Sequence, residues 1–552
     1  MIFLIAVIVL LSYPLGKYMA RIFMGKRSIL DRFFGPVERA FYAMMGVNPR
    51  EEMSWKEYLV ALLFTNLLFG SIGFAILALQ QYLPLNPNHA GPLPLPLAFT
   101  TTISFMTNTN LQHYTGELQL SYLSQMAAIT FLMFVSAATG ICAAVAFIRG
   151  IVNQNGKVGN FYRDFVISLT RLLIPISIIE AIVYVYLGIP QTFQGAVIAH
   201  TINMGNQTIF RGPVATLESI KFLGTNGGGY FGADSSYPFE NPGPITNYLQ
   251  MISEAIIPFG LIFSFGYMTR NMKEAKMLVA VTLSIFIIGL GIALYAETMP
   301  NPHLLSLPIN QSAGNWAGKD TRFSIAESTF SLIINTYVQT GGPAVALNQM
   351  SPLSVASALF GMEIQGAPGG DGTGLINLIV YVLLAVFISG LMVGRTPEYA
   401  GKKLSTGVMR NAVLFVLIHP VIILVPLAVA AMMHIPPLIP MPPNEAFTAL
   451  LYEFTSAAAN NGSSFGYLVV TQTQNFFYYT EAVIVLSGRY GPIALALAMS
   501  GALSEVKPGS YRSVKITEEP IFAVFLFGFI VILSALLFLP VLALGPLAGY
   551  FG

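Results

Sequence analysis

Ten apolar stretches of about twenty residues recur along this chain of 552 residues, and they constrain its fold more than any other feature. A helix of that length crosses the roughly 30 Å of hydrocarbon in a bilayer while satisfying its own backbone hydrogen bonds. Because 55% of the residues are hydrophobic and 9% are charged, an ordinary soluble domain is excluded. We predict an all-α polytopic membrane protein with spans at 2–20, 58–82, 122–148, 164–188, 245–268, 277–297, 375–394, 411–434, 480–503 and 520–547.

The distribution of Lys and Arg predicts the orientation of these spans. Positive charge concentrates in alternate connecting segments, namely 17–56, 149–163, 270–276, 395–410 and 505–518. The intervening long segments are 83–121, 189–244, 298–374 and 435–479, which together hold four basic residues. Since cytoplasmic loops carry the excess of positive charge, we expect a multi-pass protein of the cell membrane with both termini extracytoplasmic. The first span has its basic residues after the apolar run, so we interpret it as retained and not as a signal peptide.

Each long outer segment contains a short apolar helix followed by a cluster of polar and small residues. Helices of about 10–15 residues are too short to cross the bilayer, so we expect them to enter it and turn back. Irregular backbone at that depth is tolerated only when it is buried in protein or lines a wet pathway. The clusters are "SFMTNTNLQ" (104–112), "LGTNGGGYFG" (223–232), "YVQTGGPA" (337–344) and "SAAANNGSSFG" (456–466).

These clusters have the chemistry of a cation-selecting filter. Glycine permits the backbone angles that turn successive carbonyls toward one axis, and Thr and Asn are expected to add side-chain oxygens. Four such loops would form a ring of neutral oxygens that replaces the hydration shell of a monovalent cation, while each short helix directs the negative end of its dipole toward it. Calcium or magnesium would require carboxylate ligands, and the His and Cys residues lack the spacing of a transition-metal site.

Other interpretations of these motifs explain less of the pattern. Alone, "GTNGGG" (224–229) is typical of a surface turn, and as a dinucleotide-binding loop it lacks a preceding strand and an acidic ribose ligand. The chain has no phosphate-binding loop and no Asp-Lys-Thr-Gly phosphorylation motif, so we predict that it is not an enzyme on its own. A secondary transporter of organic substrates would show inverted repeats broken at the midplane, whereas these repeats are parallel.

Five unusual strings identify a family resemblance: "SFMTNTNLQHYTGE" (104–117), "LGTNGGGYFGADSSYPFENP" (223–242), "AGKDTRF" (317–323), "LLAVFISGLMVGRTPEYAGKK" (383–403) and "SAAANNGSSF" (456–465). Over essentially its full length, the chain resembles the potassium-binding A subunit of the Kdp potassium-transporting P-type ATPases. The resemblance implies the fold of potassium channels and the SKT superfamily, with four fused span–pore-helix–span repeats around a selectivity filter. The resulting segments are the N-terminal span and basic loop (1–57), repeats at 58–148, 164–268, 277–394 and 411–503, and a C-terminal loop and span (504–552).

The resemblance also implies a function. The chain would bind extracellular K⁺ without an organic cofactor, and it would pass the ion to a catalytic P-type ATPase subunit in an ATP-driven, high-affinity import complex. The implied partners are that subunit, small accessory membrane subunits and membrane lipid, with no nucleic acid. A stand-alone potassium channel or a Trk- or Ktr-type transporter, which would use the same filter, remains the alternative.

Matching the family motif position by position gives candidate filter residues. The four triplets are Asn108, Thr109 and Asn110; Thr225, Asn226 and Gly227; Gln339, Thr340 and Gly341; and Asn460, Asn461 and Gly462. Gln112 and Gly228 are expected to support them. The third triplet departs from the Ser-Cys-Gly-like sequence frequent in the family, and "GAPGGDGTG" (366–374) competes for the same place. We interpret the latter as the outer end of the next span, since no evident pore helix precedes it.

The span 375–394 is the candidate gate below the filter. Gly390 and Gly394 interrupt it, which indicates either close helix packing or the broken gate helix that the resemblance implies. Arg395 follows at the predicted cytoplasmic rim, where it would screen the pathway or anchor the span. Arg489 is the clearest ionisable residue inside a span, and we expect it to form a structural ion pair.

Overall fold

The computed structural model describes residues 1–28, 30–202, 205–394, 396–466, 473–507 and 516–551. Its α-helices are α1 (Ile2–Phe23), α2 (Asp31–Met44), α3 (Trp55–Leu79), α4 (Leu95–Met106), α5 (Gly116–Gln119), α6 (Phe131–Val152), α7 (Phe161–Ile167), α8 (Ile174–Tyr186), α9 (Val214–Leu223), α10 (Pro244–Thr269), α11 (Met272–Thr298), α12 (Ile325–Tyr337), α13 (Pro352–Ile364), α14 (Thr373–Met392), α15 (Thr406–Met432), α16 (Pro443–Ala459), α17 (Gln474–Glu505), α18 (Pro520–Leu542) and α19 (Ala548–Phe551). Single π-helical segments at Ser124–Thr130, Ser168–Leu173 and Ala543–Leu547 precede α6, join α7 to α8 and join α18 to α19. Two antiparallel hairpins pair β1 (Val197–His200) with β2 (Asn206–Ile209) and β3 (Glu398–Tyr399) with β4 (Lys402–Lys403).

Ten helical segments in the described part of the chain are long and apolar enough to cross a membrane, which confirms the predicted number of spans. They are Ile2–Phe23, Trp55–Tyr82, Ser124–Val152, Phe161–Tyr186, Pro244–Thr269, Met272–Leu304, Thr373–Met392, Thr406–Met432, Gln474–Glu505 and Pro520–Phe551. Each overlaps one of the stretches found in the sequence, with ends that differ by a few residues.

Between α1 and α18 the chain passes four times through the same order of elements: a span, a short pore helix, a polar loop and a second span. The pore helices are α4, α9, α12 and α16. In the first two repeats the second span is mostly buried, with 89% and 83% of its most apolar window inside the protein, against 33% and 39% for the first span. The second spans therefore form the interior of the bundle and the first spans its outer layer.

Local sequence signals fix where several of these helices begin. Ser54 and Glu57 form a capping box at the start of α3, and Ser324 and Glu327 form another at the start of pore helix α12. Proline occupies the first turn of α4, α10, α13, α16 and α18, where its missing N–H has no helical partner to lose.

The third repeat differs from the prediction in its second half. A helix of 13 residues, α13, precedes the Gly-rich segment 366–374, although the sequence showed no evident helix there. Residues 365–372 are buried, and they separate α13 from α14. The Gly-rich segment is therefore a break inside the protein that leads into α14, and not the exposed outer end of a span.

Candidate functional site

The four pore helices end in one common backbone cap. The first residue of each triplet has a left-handed conformation, with φ of 63° at Asn108, 45° at Thr225, 61° at Gln339 and 55° at Asn460. The middle residue then donates its N–H to the carbonyl five residues earlier, in the pairs Thr109 to Ser104 (3.0 Å), Asn226 to Lys221 (2.8 Å), Thr340 to Asn335 (2.9 Å) and Asn461 to Ser456 (2.9 Å). This is the long bond of a Schellman cap, and it leaves the triplet carbonyls free of helical partners.

We call the loop that carries each triplet one quarter of the site. Backbone carbonyls of the first, third and fourth quarters meet beside Gly227 of the second quarter. A Cβ placed on Gly227 would lie 2.5 Å from the Asn461 carbonyl oxygen, 2.7 Å from that of Thr340 and 2.9 Å from that of Thr109. These are the middle residues of the other three triplets, so the structure brings all four triplets to one place. A Cβ on Gly341 would overlap the Asn461 carbonyl, and one on Gly462 would overlap that of Thr109.

The middle of the bundle therefore holds a ring of uncharged carbonyl oxygens at the C-terminal ends of four helices. Carbonyl oxygens arranged in this way can take the place of the water molecules around a cation, and the helix dipoles place partial negative charge at the same point. The triplet residues are buried apart from Gly462, which is half-buried, so the ring lies inside the protein rather than on a surface turn.

The asparagine side chains of the triplets form hydrogen bonds with their surroundings. The amide oxygens of Asn108, Asn226 and Asn461 accept hydrogen bonds from Ser136 (2.8 Å), Asn110 (3.2 Å) and the Ser463 N–H (3.1 Å). These three oxygens are thus already engaged, whereas Asn110 Oδ1 and Gln339 Oε1 are buried and accept no hydrogen bond within the described part of the chain. The oxygens that meet beside Gly227 are backbone carbonyls.

The first and second quarters are joined directly. The Asn108 amide donates to the Thr225 carbonyl at 2.7 Å. Gln112 and Gly229 exchange two hydrogen bonds, with the Gln112 side chain donating to the Gly229 carbonyl at 2.9 Å and accepting from its N–H at 3.0 Å. Gly228 packs on the first pore helix, since a Cβ there would lie 2.6 Å from Phe105 Cζ. Gln112 and Gly228 therefore join the loops of the first and second triplets, and their role in supporting a filter remains a prediction.

Asn335 of α12 joins the third quarter to its surroundings, and sequence reasoning did not single it out. Its side chain accepts the Gly342 N–H at 2.7 Å and donates to Glu254 at 3.1 Å. Its backbone carbonyl accepts both the Thr340 N–H and the Asn461 amide, the latter at 3.1 Å. The backbone of the third triplet, "QTG", thus lies in the same position relative to its pore helix as the backbones of the other triplets, although its sequence is unusual.

A buried ionic cluster that the sequence prediction also missed lies next to Gly342, which follows the third triplet. Lys221 contacts the carboxylates of Asp234, Glu240 (2.9 Å) and Glu218 (3.6 Å), and a Cβ on Gly342 would lie 2.9 Å from Lys221 Cε. Burial lowers the pKa of Lys221, but the three carboxylates outweigh that effect and hold it above its usual value. Glu218 and Lys221 lie one helical turn apart, which is the signal that the sequence offered.

The predicted gate residues lie away from the break. Gly390 is inside α14, where a Cβ would lie 3.2 Å from Pro397 Cγ, and Gly394 follows the end of the helix with φ of 67°. Arg395 lies outside the described residues. The break at 365–372 approaches the filter instead, because the Asp371 N–H donates to the Thr225 hydroxyl at 3.0 Å.

Arg489 is buried in α17, and it donates to the Ser136 carbonyl at 2.8 Å. Among the described residues no carboxylate lies within 4.0 Å of its guanidinium group, so the ion pair expected for it is not formed.

A family model described as "Potassium-transporting ATPase A subunit" matches residues 2–551. The chain belongs to this family. Two curated relatives of this A-subunit family, from Caldanaerobacter subterraneus subsp. tengcongensis and Geobacillus kaustophilus, are each named potassium-transporting ATPase potassium-binding subunit. Each is 43% identical to the chain, over 99% and 100% of the chain respectively and 98% of each relative.

Among solved structures, the A-subunit chain is similar in fold to the crystal structure of the potassium transporter TrkH from Vibrio parahaemolyticus. The TM-score is 0.53 at 15% sequence identity, over 89% of this chain and 96% of that one. At that identity the likeness supports the four-repeat fold and nothing further.

Proposed function

We propose that this chain is the potassium-binding subunit of an ATP-driven potassium import complex and that the four triplets select K⁺ from outside the cell. The observation that carries the proposal is the meeting of the Thr109, Thr340 and Asn461 carbonyl oxygens beside Gly227. Neutral oxygens held on a fixed backbone suit a weakly hydrated monovalent cation, whereas a divalent ion would require carboxylates.

A catalytic P-type ATPase subunit would supply the energy in this complex, and small accessory membrane subunits would complete it. The names of the relatives support such a complex, and the sequence contains no phosphorylation motif of its own. The filter opens outward in the orientation predicted from Lys and Arg, so K⁺ would enter there and pass inward beside the break at 365–372 to the catalytic partner.

The test is K⁺-stimulated ATP hydrolysis by the co-expressed complex, measured against K⁺ concentration for the wild type and for Gly227→Asp. A carboxylate at this position would enter the carbonyl ring, so we expect the K⁺ concentration for half-maximal activity to rise at least about a hundredfold. Unchanged half-saturation would remove Gly227 from the filter.

A stand-alone potassium channel or a Trk- or Ktr-type transporter would share the same four-repeat fold. Potassium flux into liposomes that contain the purified chain alone distinguishes the two functions. Potassium flux without the ATPase subunit would favour the channel, whereas flux that requires the complex and ATP supports the import function.

A further inference from the structure

Three ionisable side chains outside the filter meet where the first repeat contacts the fourth. His113 follows the first triplet by three residues, Glu453 lies on pore helix α16 and Glu481 lies near the start of α17. One ligating atom of each lies within 4.8 Å of the others. We call these three residues the His113 cluster.

The His113 cluster is buried and its hydrogen bonding is incomplete. His113 Nε2 lies 2.5 Å from Glu481 Oε2, with 7% and 2% of the two side chains exposed. Glu453 is fully buried, and its Oε2 accepts from the Ser464 hydroxyl at 2.7 Å. In the part of the chain that the structure describes, Oε1 of Glu453 and Oε1 of Glu481 accept no hydrogen bond.

The His113 cluster brings two carboxylates and one imidazole together in a buried place, where an uncompensated charge is costly. His and Glu bind a metal ion through deprotonated atoms. A divalent cation at this place would therefore displace protons and supply positive charge between the carboxylates.

We propose that His113, Glu453 and Glu481 bind one divalent transition-metal ion of the zinc class between the first and fourth repeats. One imidazole nitrogen with two carboxylate oxygens is a zinc donor set that leaves a fourth position for water, whereas calcium and magnesium prefer oxygen ligands alone. The metal takes the place of the proton between His113 and Glu481. Their two ligating atoms then separate from 2.5 Å to about 3.3 Å, the spacing of ligands on tetrahedral zinc.

The bound ion would connect the filter loop of one repeat to the pore helix of another. α16 ends at Ala459, and the next residue, Asn460, donates to the Thr109 hydroxyl at 2.8 Å. Zinc at the His113 cluster would also add positive charge beside this part of the filter. We therefore expect zinc to raise the K⁺ concentration for half-maximal ATP hydrolysis severalfold.

The experiment measures zinc binding directly. The purified, tag-free complex is dialysed against zinc buffered at free concentrations from nanomolar to micromolar, and bound zinc is counted per complex for the wild type, His113→Asn and Glu453→Gln. We expect the wild type to bind one zinc ion more than either variant. K⁺-stimulated ATP hydrolysis in chelator, which reports the filter independently of zinc, shows that the variants are assembled.

Glu445→Gln is the matched control, because Glu445 lies 3.2 Å from His303 in a similar His–Glu pair, to which the described residues add no second carboxylate within the metal-ligand spacing. It should bind as much zinc as the wild type. Equal zinc binding by the wild type and His113→Asn over the whole range would overturn the proposal, whatever the complex does with K⁺.

Discussion

The first and third quarters of the filter have the same backbone but different attachments. The first quarter is bound to the second through the side chains of Asn108, Asn110 and Gln112. In the third quarter, the Gln339 amide donates instead to the Gly361 carbonyl of α13 at 3.4 Å. The Tyr337 carbonyl, at the end of its pore helix, accepts the Gly369 N–H from the break at 2.9 Å.

This difference gives the two sides of the ring different supports. The first and second quarters are held to each other, and we expect them to form the more rigid side. The break contacts both the second quarter, through Thr225, and the third, through Tyr337, but the third quarter also contacts α13 through Gln339. A movement of α13 would therefore reach the ring through the third quarter. Asn335 is its link to the fourth quarter, through the Asn461 amide. We therefore expect the third quarter, with its unusual "QTG" triplet, to be the more adjustable side of the ring.

We expect the largest effect from Gly341→Ala, which changes the backbone of the third triplet. The residue has φ of 78°, and a Cβ would overlap the Asn461 carbonyl. We expect the K⁺ concentration for half-maximal ATP hydrolysis to rise at least about a hundredfold, because the carbonyl must leave the ring or the backbone must change. The measurement is the K⁺ dependence of ATP hydrolysis by the complex.

Gly394→Ala is the control for backbone strain in that experiment. Gly394 has a similar φ of 67°, but no atom of the described residues beyond its chain neighbours lies within 4 Å of the added Cβ. We expect a stability loss of about 1 kcal/mol and less than a twofold change in K⁺ half-saturation. Similar K⁺ curves for the two variants would mean that overlap with the ring is not the cause.

Asn335→Leu should have the second largest effect, since it removes the link between the third and fourth quarters. The Gly342 N–H and the Glu254 side chain both lose a partner in a buried place, at a cost of about 1–3 kcal/mol. If that cost falls on the ion-bound state, K⁺ half-saturation rises about tenfold to a hundredfold. Asn335→Asp keeps the acceptor for Gly342 but faces Glu254 with a second carboxylate. Wild-type K⁺ affinity in Asn335→Leu would show that the third quarter is held by its backbone alone.

Gln112→Leu tests the rigid side. It removes both hydrogen bonds with Gly229, but the site is only partly buried and Asn108 still joins the two quarters. We expect a rise of about fivefold to twentyfold in K⁺ half-saturation, from a loss of about 1–2 kcal/mol. A larger effect than that of Asn335→Leu would reverse the assignment of the rigid and adjustable sides.

The spans and triplets could be predicted because their signals are local in the sequence. Apolar runs of the right length report the spans, and Asn108 and Asn460 suit the left-handed position that ends a pore helix. Thr225 and Gln339 have the same left-handed conformation, although Thr and Gln do not favour it. Their positions could be predicted from the fourfold repeat but not from their residue types. The helix cap explains why a short helix followed by a polar cluster predicts a triplet, since each triplet lies where a pore helix ends.

The remaining features depend on contacts between distant parts of the chain. His113 and Glu481 are 368 positions apart, and Asn335 meets Asn461 across two repeats. The hydrophobic periodicity of a sequence gives no information on contacts between residues so far apart in the chain. Gly390 and Gly394 are visible in the sequence as glycines inside an apolar run, and their role as gate residues remains a prediction. The break at 365–372 was not predicted, because α13 before it is too short to stand out as a span.

Gln339→Leu should have the smallest effect on K⁺ affinity and is the most specific test of the adjustable side. Its hydrogen bond to Gly361 is long, at 3.4 Å, and the triplet backbone keeps its cap through Thr340 and Asn335. We expect less than a threefold change in K⁺ half-saturation, while the maximal rate of ATP hydrolysis at saturating K⁺ changes because the ring is less firmly attached to α13. Gln112→Leu, in contrast, should alter half-saturation with little change in maximal rate. If both variants shifted the same parameter, the two sides of the ring would be equivalent, and the difference in their attachments would have no consequence for transport.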